Sequence, residues 1–496
     1  MKKLLIVIFA LFSIVAHAQQ NTLLEQSFWQ NSRDVNAIKA EIERGNDPAQ
    51  LNRMSMDPVV LAINSGAPTA SILYLLTLPG NGVNKITHDS RNYLHWAANR
   101  GNVELMEYLV AKGAKTDLED SHGFTPLNFA ANSSQPNTKV YDICLAHGAD
   151  LKKDLTPEGA NALLLAIAGD KDFHLTDYFI SKGLDLNSKD SQGNNAFSYA
   201  ARAGNIDAIK ALMAKGVSVN ENAMLMAAQG SRRGANSISL YQYLEGLHVK
   251  PTAINKNGEN VLHIIVRRPG QNEIIQYLLS KGVDVNQADE EGNTVFMNAA
   301  SSRDTSAMAI LLPHVKNVNQ ANNKGVTALA IAVRSSSPDV VRYLIKKGAS
   351  VNVTDANGDN LGYYLVQSYT SLVQGPNAPK PEDFDAKLNI LQEKGFQAAS
   401  PQKNGNTLYH LAVARNDLSL VKRLGTLHLD VNSKNKEGYT ALHKSAMVST
   451  NDEIMKYLLS IGAKKDLSTS FSETAYDLAS ENESLVKNKI SVQFLK

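Results

Sequence analysis

Four histidines occupy the same position in a recurring stretch of this sequence, and imidazole suits both metal binding and acid–base chemistry near neutral pH. The stretch reads "NYLHWAA", "NVLHIIV", "TLYHLAV" and "TALHKSA". Successive histidines are at least 33 residues apart, so each belongs to its own local unit. Such spacing predicts a ladder of single histidines and not a ligand cluster, and we expect neither a metal site nor a catalytic base. The four are His95, His263, His410 and His443.

Other reactive residue types lack the neighbours that chemistry requires. Cys144 is the sole cysteine and lies on the apolar side of a predicted helix, without the electropositive setting that activates a thiol. We expect it to be buried, with no internal disulfide. The stretch "DANGDN" from Asp355 has some likeness to a calcium loop. Val366 stands where that loop needs its last glutamate, so a hairpin turn is the better interpretation.

Motifs of the common enzyme classes are also missing. The sequence has no P-loop, HExxH, CxxC or nucleophile-elbow pattern. One long segment contains Glu382, Asp383 and Asp385 but no His, Cys or Ser constellation to work with them. We therefore expect no enzyme activity, no catalytic residue and no cofactor.

Length, composition and charge describe a large folded chain without one compact core. It has 496 residues, 43% hydrophobic but only 6% aromatic, which suits short helices packed through small residues. It carries 50 basic and 48 acidic residues, and without Lys2 and Lys3 it is formally neutral. Bulk binding to nucleic acid or to an anionic membrane needs a net basic surface. We therefore expect no nucleic-acid partner and no stable membrane insertion.

Residues 1–18 have the features of a signal peptide. A basic start at Lys2-Lys3 precedes the apolar run 4–15, and Ala16-His17-Ala18 forms a small-x-small cleavage site. Twelve apolar residues are too few to cross about 30 Å of hydrocarbon as a helix, and no cysteine follows that could carry a lipid. We expect cleavage near Ala18 and a bacterial protein that is periplasmic or secreted.

Two series of glycines recur with a period close to 33 residues. One series precedes stretches of the "TxL" type, and the other follows stretches of the "LLxxG" type. Two independent markers with one period identify a repeat protein. The first series is Gly123, Gly159, Gly193, Gly258, Gly292, Gly325, Gly358, Gly405 and Gly438. The second is Gly113, Gly148, Gly183, Gly216, Gly282, Gly348 and Gly462.

Elementary chemistry explains the form of one unit. Pro126 suits the first turn of a helix, where its missing N–H has no helical partner, and Thr125 can cap the free donors beside it. The small pair Ala97-Ala98 lets neighbouring helices approach, and Gly101 can end the first helix with positive φ. A second helix follows, with apolar residues on one side at 103–110. No unit covers its apolar faces alone, so the units must stack.

The lines "HGFTPLNFAA", "EGYTALHKSA", "NGNTLYHLAV" and "NGENVLHIIV" resemble the ankyrin repeat, whose pattern T-P-L-H-x-A is matched most fully at residues 125–130. The resemblance covers nearly all of residues 20–496. It implies an all-α ankyrin-repeat solenoid of helix-turn-helix units with short β-hairpin connections, about 12–14 units including caps. It also implies that the recurring histidines make structural hydrogen bonds near the hairpins. With the signal peptide, it suggests an exported bacterial member of that family.

The register divides the chain into segments that differ in regularity. Between the capping segments, one unit lacks its hairpin and carries the loop "GSRRGANS", which suggests a hinge, and another unit is 14 residues longer than the period. Insertions in such proteins often map to the binding face, although neutral drift in a tolerant loop explains this one equally well. The predicted segments are an N-terminal capping repeat at 19–52, repeats at 53–220, the irregular repeat at 221–254, repeats at 255–468 with an insertion at 366–384, and C-terminal capping helices at 469–496.

Partners of ankyrin repeats usually lie along the concave face, against the hairpin tips and the ends of the first helices. Arginines recur at those helix ends in this chain, and guanidinium groups favour carboxylates or phosphates. The resemblance therefore predicts an acidic peptide or protein surface as partner. Alternatively, arginine is simply common at this position and pairs with acidic tips such as Glu290. The predicted binding residues are Arg91, Arg100, His122, Phe124, Arg202, Arg267, Arg268, Arg334, Arg415 and Tyr439.

Three functional hypotheses follow. The first is a monomeric, non-enzymatic interaction scaffold in the periplasm or outside the cell, which holds another protein in the concave groove. The second is a secreted effector or toxin-associated protein that acts on a host or competitor, and cell fractionation distinguishes it from the first. The third is an enzyme with its site in the long insertion. A repeat fold by itself does not choose among partners.

Overall fold

The computed structural model describes residues 21–31, 33–231, 234–371 and 379–496. The predicted signal peptide at 1–18 lies outside these residues, as do Arg232-Arg233 in the predicted hinge loop and residues 372–378 in the predicted insertion. β-Pairing within the described residues occurs only as isolated β-bridges, and the regular secondary structure there is helical. The all-α prediction is confirmed.

The described residues form 28 α-helices, which follow one another in pairs. Most contain five to nine residues, and the longest has 12. None combines the length and the apolar character that crossing a bilayer requires, within the ranges that the structure describes. The helices are α1 Gln26–Trp29, α2 Val35–Glu43, α3 Pro58–Ser65, α4 Thr69–Leu76, α5 Tyr93–Arg100, α6 Val103–Ala111, α7 Pro126–Asn132, α8 Lys139–Ala146, α9 Ala162–Ala166, α10 His174–Ser181, α11 Ala196–Ala203, α12 Ile206–Ala214, α13 Ala223–Gln229, α14 Ile238–Gly246, α15 Val261–Ile265, α16 Asn272–Ser280, α17 Val295–Ala299, α18 Ser306–Leu311, α19 Ala328–Ser335, α20 Pro338–Lys346, α21 Leu361–Ser368, α22 Pro381–Gln392, α23 Leu408–Ala414, α24 Leu418–Gly425, α25 Ala441–Val448, α26 Glu453–Ser460, α27 Ala475–Glu481 and α28 Glu483–Lys487.

The first helix of a pair begins where the sequence offers a capping side chain and ends where it permits positive φ. Thr125 Oγ1 accepts the hydrogen bond of the Asn128 N–H, and Pro126 is the first residue of α7. Gly101 ends α5 with φ +71°. A Cβ at Gly101 would lie 2.8 Å from Oε1 of Gln135 in the next pair, so this position needs glycine both for its backbone conformation and for the close approach.

The chain divides between Ala223 and Met224 into two compact parts, and each is a stack of helix pairs. In the N-terminal part the first helices α1, α3, α5, α7, α9 and α11 pack in series, and so do the second helices α2, α4, α6 and α8. In the C-terminal part the odd-numbered helices from α15 to α27 form the corresponding series. Leucines on both kinds of helix, such as Leu94 and Leu109, have no exposed surface. One apolar layer therefore runs through each part.

The predicted hairpins are tight turns, several of them closed by a single β-bridge, and the tip of one turn is bonded to the next. In the C-terminal part, the backbone N–H of Asn323 donates to the carbonyl of Glu291 over 2.9 Å, and that of Ala356 donates to Lys324 over 2.9 Å. The bridges there join Ile254 to Asn260, Ala288 to Thr294, Ala321 to Thr327, Thr354 to Asn360 and Ser468 to Thr474. Consecutive tips thus form a row joined by main-chain bonds.

The irregular unit at 221–254 contains the helices α13 and α14. At its start, two asparagine side chains occupy the place of a hairpin: Nδ2 of Asn220 donates to the Gly193 carbonyl over 2.8 Å, and Nδ2 of Asn222 donates to the Gln192 carbonyl over 3.0 Å. The residues predicted as the insertion overlap the end of α21 and the start of α22, where Pro381 is the first helical residue. The hinge stays a prediction.

The asparagine of the recurring "VN" dipeptide clamps one pair to the next through both ends of its amide. At Asn319, Nδ2 donates to the Gly348 carbonyl over 3.0 Å and Oδ1 accepts the Ser350 N–H over 2.8 Å. The same two bonds recur, with the corresponding loop residues, at Asn84, Asn286 and Asn432.

We predict that Asn319→Ala lowers the free energy of unfolding of the full chain by about 1 kcal/mol, because two hydrogen bonds between helix pairs are lost. Urea unfolding followed by circular dichroism measures this change, and hydrogen exchange should show faster exchange at the Ser350 amide. The control is Asn357→Ala at an exposed hairpin tip, which removes the same side chain with little effect. Equal stability of the two variants would contradict the clamp.

Candidate protein-binding face

The recurring histidines connect the start of their own helix to the next hairpin. Nε2 of His95 donates to the Phe124 carbonyl over 3.0 Å, and Nδ1 accepts the Asn92 N–H over 3.3 Å. Because a carbonyl only accepts, the proton must be on Nε2. His263, His410 and His443 make the equivalent bonds to the carbonyls of Asn293, Tyr439 and Leu467. The predicted structural role of the four histidines is confirmed.

Burial keeps these imidazoles neutral. His95 has no exposed surface, and the loss of solvation lowers its pKa to about 4. The pKa values of the three other histidines are also lowered, chiefly by burial. Burial likewise raises the pKa of the Cys144 thiol to about 12, so this cysteine is the predicted inert core residue. Within the described ranges no three His, Cys, Asp or Glu side chains are placed to hold a metal ion.

Arg91 is buried, and the prediction that it binds a partner is wrong. Its side chain is 4% exposed, and Nη2 lies 2.7 Å from Oδ2 of Asp120 in the next hairpin. Its guanidinium also lies over the rings of Phe129 and Trp96, 4.1 and 5.1 Å from their centres. The arginine is therefore an internal connector between two helix pairs and is closed to a partner.

Arg415 has a different structural role from Arg91, because it caps the C-terminal end of another helix. Nη1 donates to the carbonyls of Val366 and Gln367 over 2.9 and 3.1 Å, and Nη2 donates to Tyr369 over 2.9 Å. These carbonyls belong to the C-terminal end of α21 and the residue after it, where a helix leaves carbonyls without the usual donor four residues ahead. Both Nη groups of Arg415 thus donate hydrogen bonds to backbone carbonyls, so Arg415 is not a free anion-binding group.

The tip residues differ in how much surface they present. His122 is exposed, with Nε2 3.5 Å from Oδ2 of Asp89. Phe124 and Tyr439 are half-buried, and their carbonyls accept the histidine bonds described above. Lys444 Nζ lies 5.2 Å from the centre of the Tyr439 ring. The role of these two aromatic residues in binding a partner stays a prediction.

The exposed arginines are distributed over both parts. In the N-terminal part, Arg100 and Arg202 are exposed, and Nη2 of Arg100 donates to the Asn64 carbonyl. In the C-terminal part, Nη2 of Arg267 lies 3.1 Å from Oε1 of Glu259, and Arg334 is exposed at the end of α19.

Arg268 is half-buried, and its Nη1 would lie 3.1 Å from a Cβ added at Gly230. The predicted arginine stripe therefore includes buried, capping and paired groups as well as open ones.

Two acidic residues of α22 form ion pairs within the chain, and the sequence alone did not predict these pairs. Oδ2 of Asp383 lies 2.8 Å from Nη2 of Arg303, and Asp385 pairs with Arg423. Beside them, the 1% exposed Lys387 donates from Nζ to the Val333 carbonyl over 2.9 Å. Burial lowers the pKa of Lys387 to about 8. These contacts attach α22 to the helix pairs before and after it.

We predict that His95 makes stability depend on acidity. Its pKa is about 4 in the folded chain and about 6.5 when unfolded, so the unfolded chain binds the proton first. Its contribution is complete above about pH 6.5 and is lost as the pH falls towards 4, by about 3 kcal/mol in total. Urea unfolding at several pH values should show a flatter dependence for His95→Gln. Identical slopes, or a ring that titrates near pH 6.5 by NMR, would contradict this.

We predict that Arg415→Gln lowers the free energy of unfolding by about 2 kcal/mol, because three bonds from a charged donor to helix-end carbonyls are lost. The matched control is Arg334→Gln, which changes the same charge at an exposed site and should leave stability within about 0.5 kcal/mol. Thermal and urea unfolding of both variants measure the difference. A stable Arg415→Gln variant would show that the cap contributes little.

Comparisons with known proteins agree with this geometry. A family model that describes three copies of the ankyrin repeat matches the chain at four places. These are residues 59–154, 136–223, 262–355 and 386–491. The phosphocholine transferase AnkX of Legionella pneumophila is 31% identical over 120 residues, 24% of this chain and 12% of that protein. The human transient receptor potential cation channel subfamily A member 1 is 23% identical over 339 residues, 65% of this chain and 30% of the channel.

A third relative is the alpha-latroinsectotoxin-Lt1a of Latrodectus tredecimguttatus, 23% identical over 382 residues, 72% of this chain and 25% of the toxin. The chain thus spans less than a third of each of these relatives. The family model covers well over half of the chain, and the capped helix pairs, hairpin turns and histidine bonds recur along it. The chain belongs to the ankyrin repeat family.

Proposed function

We propose that this chain is an exported, non-enzymatic interaction module that holds one protein partner along the hairpin tips and the ends of the first helices. The observation that carries this proposal is the row of tips in the C-terminal part, whose backbones are bonded to one another while their side chains point into solvent. A partner in contact with that row meets a firm surface with variable chemistry.

The main chain of this row is ordered by direct hydrogen bonds of 2.8 to 3.0 Å. Besides those at Asn323 and Ala356, Glu290 donates to Asn257, Lys403 to Gly358 and Lys436 to Asn404. The tip side chains themselves are exposed. They include Lys256, Asn257, Glu290, Glu291, Lys324, Lys403, Lys436 and Glu437.

The same structure explains why an enzyme is the less favoured hypothesis. The histidines are committed to hairpin carbonyls, the cysteine is buried, and Asp383 and Asp385 are paired with arginines. An acidic partner is favoured because Arg334 and Lys324 are exposed on the proposed face. The mature chain has a formal charge of zero, so local charged groups such as these decide which sign of partner charge is attracted.

Export is part of the proposal and rests on the sequence of residues 1–18. The alternative, a secreted effector or toxin-associated protein, is supported by the toxin and transferase named among the relatives, although they match this chain over a minor part of their length. Fractionation of cells that express the full chain distinguishes the two. Protein in the periplasmic fraction favours the scaffold, and protein in the medium favours the effector.

The decisive experiment is crosslinking and capture of the tagged full chain in the cells that encode it. We predict that Arg267→Glu/Arg334→Glu loses the captured partner, because both changes place negative charge on the proposed face. The matched control is Arg342→Glu/Lys346→Glu, two exposed basic residues of α20, which should retain the partner. Mass spectrometry of the captured chain should find Gln19 at its N-terminus.

A partner lost by the control and retained by the first variant would contradict the assigned face. A cytoplasmic chain that begins at Met1 would contradict export. Catalytic turnover by the purified chain would contradict the non-enzymatic role.

A further inference from the structure

A cleft of about 290 Å³ lies between two neighbouring units of the C-terminal part. The end of α17 and the face of α19 form one side, and the hairpin tips that precede these helices form the other. Basic, polar and apolar groups meet in it. The lining residues that matter here are Asn298, Ser301, Lys324, Val326, Ile331 and Arg334.

Arg334 is the basic group of this cleft that is prepared to bind an anion. It is exposed, and its one hydrogen bond to a described residue runs from Nε to Oγ of the adjacent Ser335 over 3.4 Å, near the limit for such a bond. Among the described residues, no carboxylate lies within ion-pair distance of it. Its forked Nη donors match the two oxygens of a carboxylate.

Other arginines of the C-terminal part differ from Arg334 in this respect. Arg303 and Arg423 are paired with Asp383 and Asp385, and Arg267 with Glu259. Arg334 therefore differs from these three arginines, whose guanidinium groups already form ion pairs with carboxylates of this chain.

Lys324 adds a second positive charge at the tip on the opposite side. Its nearest acid is Glu291, with Nζ and Oε1 4.0 Å apart, and both side chains are about 70% exposed. A pair of that length between exposed groups contributes little, so Lys324 can turn towards a ligand. Glu291 on the rim disfavours an anion at that edge and directs it towards Arg334.

The remaining groups suit a piece of polypeptide. Nδ2 of Asn298 donates to the His263 carbonyl over 3.2 Å, which leaves its Oδ1 directed away from that bond as an acceptor for a main-chain N–H. Oγ of Ser301 donates to the Asn298 carbonyl over 2.7 Å and can accept a further bond. Val326 and Ile331 supply an apolar surface beside them.

We propose that this cleft binds a carboxylate of the protein partner, with Arg334 as the receptor and Lys324 as a second attraction. The carboxylate belongs to an acidic side chain that has an apolar residue beside it in the bound segment. This inference rests on the proposed function and assigns it a specific site and a partner chemistry.

The test uses a displayed library of random 12-residue peptides, selected on the full chain. Enriched peptides are made synthetically with amidated C-termini, labelled with fluorescein, and titrated by anisotropy. We predict a shared Asp or Glu, whose replacement by Asn or Gln weakens binding at least tenfold. Arg334→Gln should weaken binding at least tenfold as well, Lys324→Gln about threefold, and the control Arg342→Gln less than twofold, since charged hydrogen bonds contribute about 1.5–3 kcal/mol.

A double-mutant comparison supplies the sharper criterion. Once the peptide has lost its acidic residue, Arg334→Gln should cause no further loss, because the two changes remove the same contact. Additive losses would overturn the inference, and so would binding that needs the free C-terminal carboxylate in place of the side chain. Peptides that bind elsewhere on the tip row, with no response to Arg334→Gln, would overturn this site and leave the proposed function standing. Failure to enrich any peptide would count against both.

Discussion

The whole structure depends on the incomplete burial of each helix pair. A pair of helices of about eight residues has apolar surface on both sides, and only a neighbouring pair can cover it. Leucines such as Leu94 and Leu278 are completely buried for this reason. Apolar contact alone does not fix how two pairs are aligned, and the polar bonds between units supply that alignment. The amide of Asn319 and the imidazole of His95 each reach one unit forward to a backbone group, so the register of the stack is specified by directional bonds.

Arginines in different units have different structural roles because their neighbours differ. Arg91 meets a carboxylate and two aromatic rings and is buried with them. Arg415 donates to three carbonyls at the C-terminal end of α21. Arg334 meets neither, and its guanidinium stays in solvent. A binding face in such a protein is therefore defined by the units in which the recurring helix pair leaves a charged side chain without a partner in the same chain.

The fold was predictable from sequence to the extent that it is local. Capping by Thr125, the first-turn position of Pro126 and the positive φ of Gly101 each follow from a few adjacent residues. The state of the arginine side chains was not predictable in this way. Arg91 depends on Asp120, and Arg415 on residues 46 to 49 positions earlier. Likewise, nothing near Lys387 in sequence indicates that its ammonium group is buried against the Val333 carbonyl.

Ion pairs also connect the second helices of consecutive units. Asp142 pairs with Lys182 and Glu245 with Lys281, each over 2.7 Å and each across two consecutive units. Such pairs use acids and bases in equal number and leave a surface with little net preference for either sign. They are also exposed enough that salt would screen them. A formally neutral chain with some of its charges matched in this manner can still select a charged partner, provided that exposed groups of one sign are left unmatched at one place. The cleft at Arg334 meets that condition, since this exposed guanidinium has no carboxylate of the described residues within ion-pair distance.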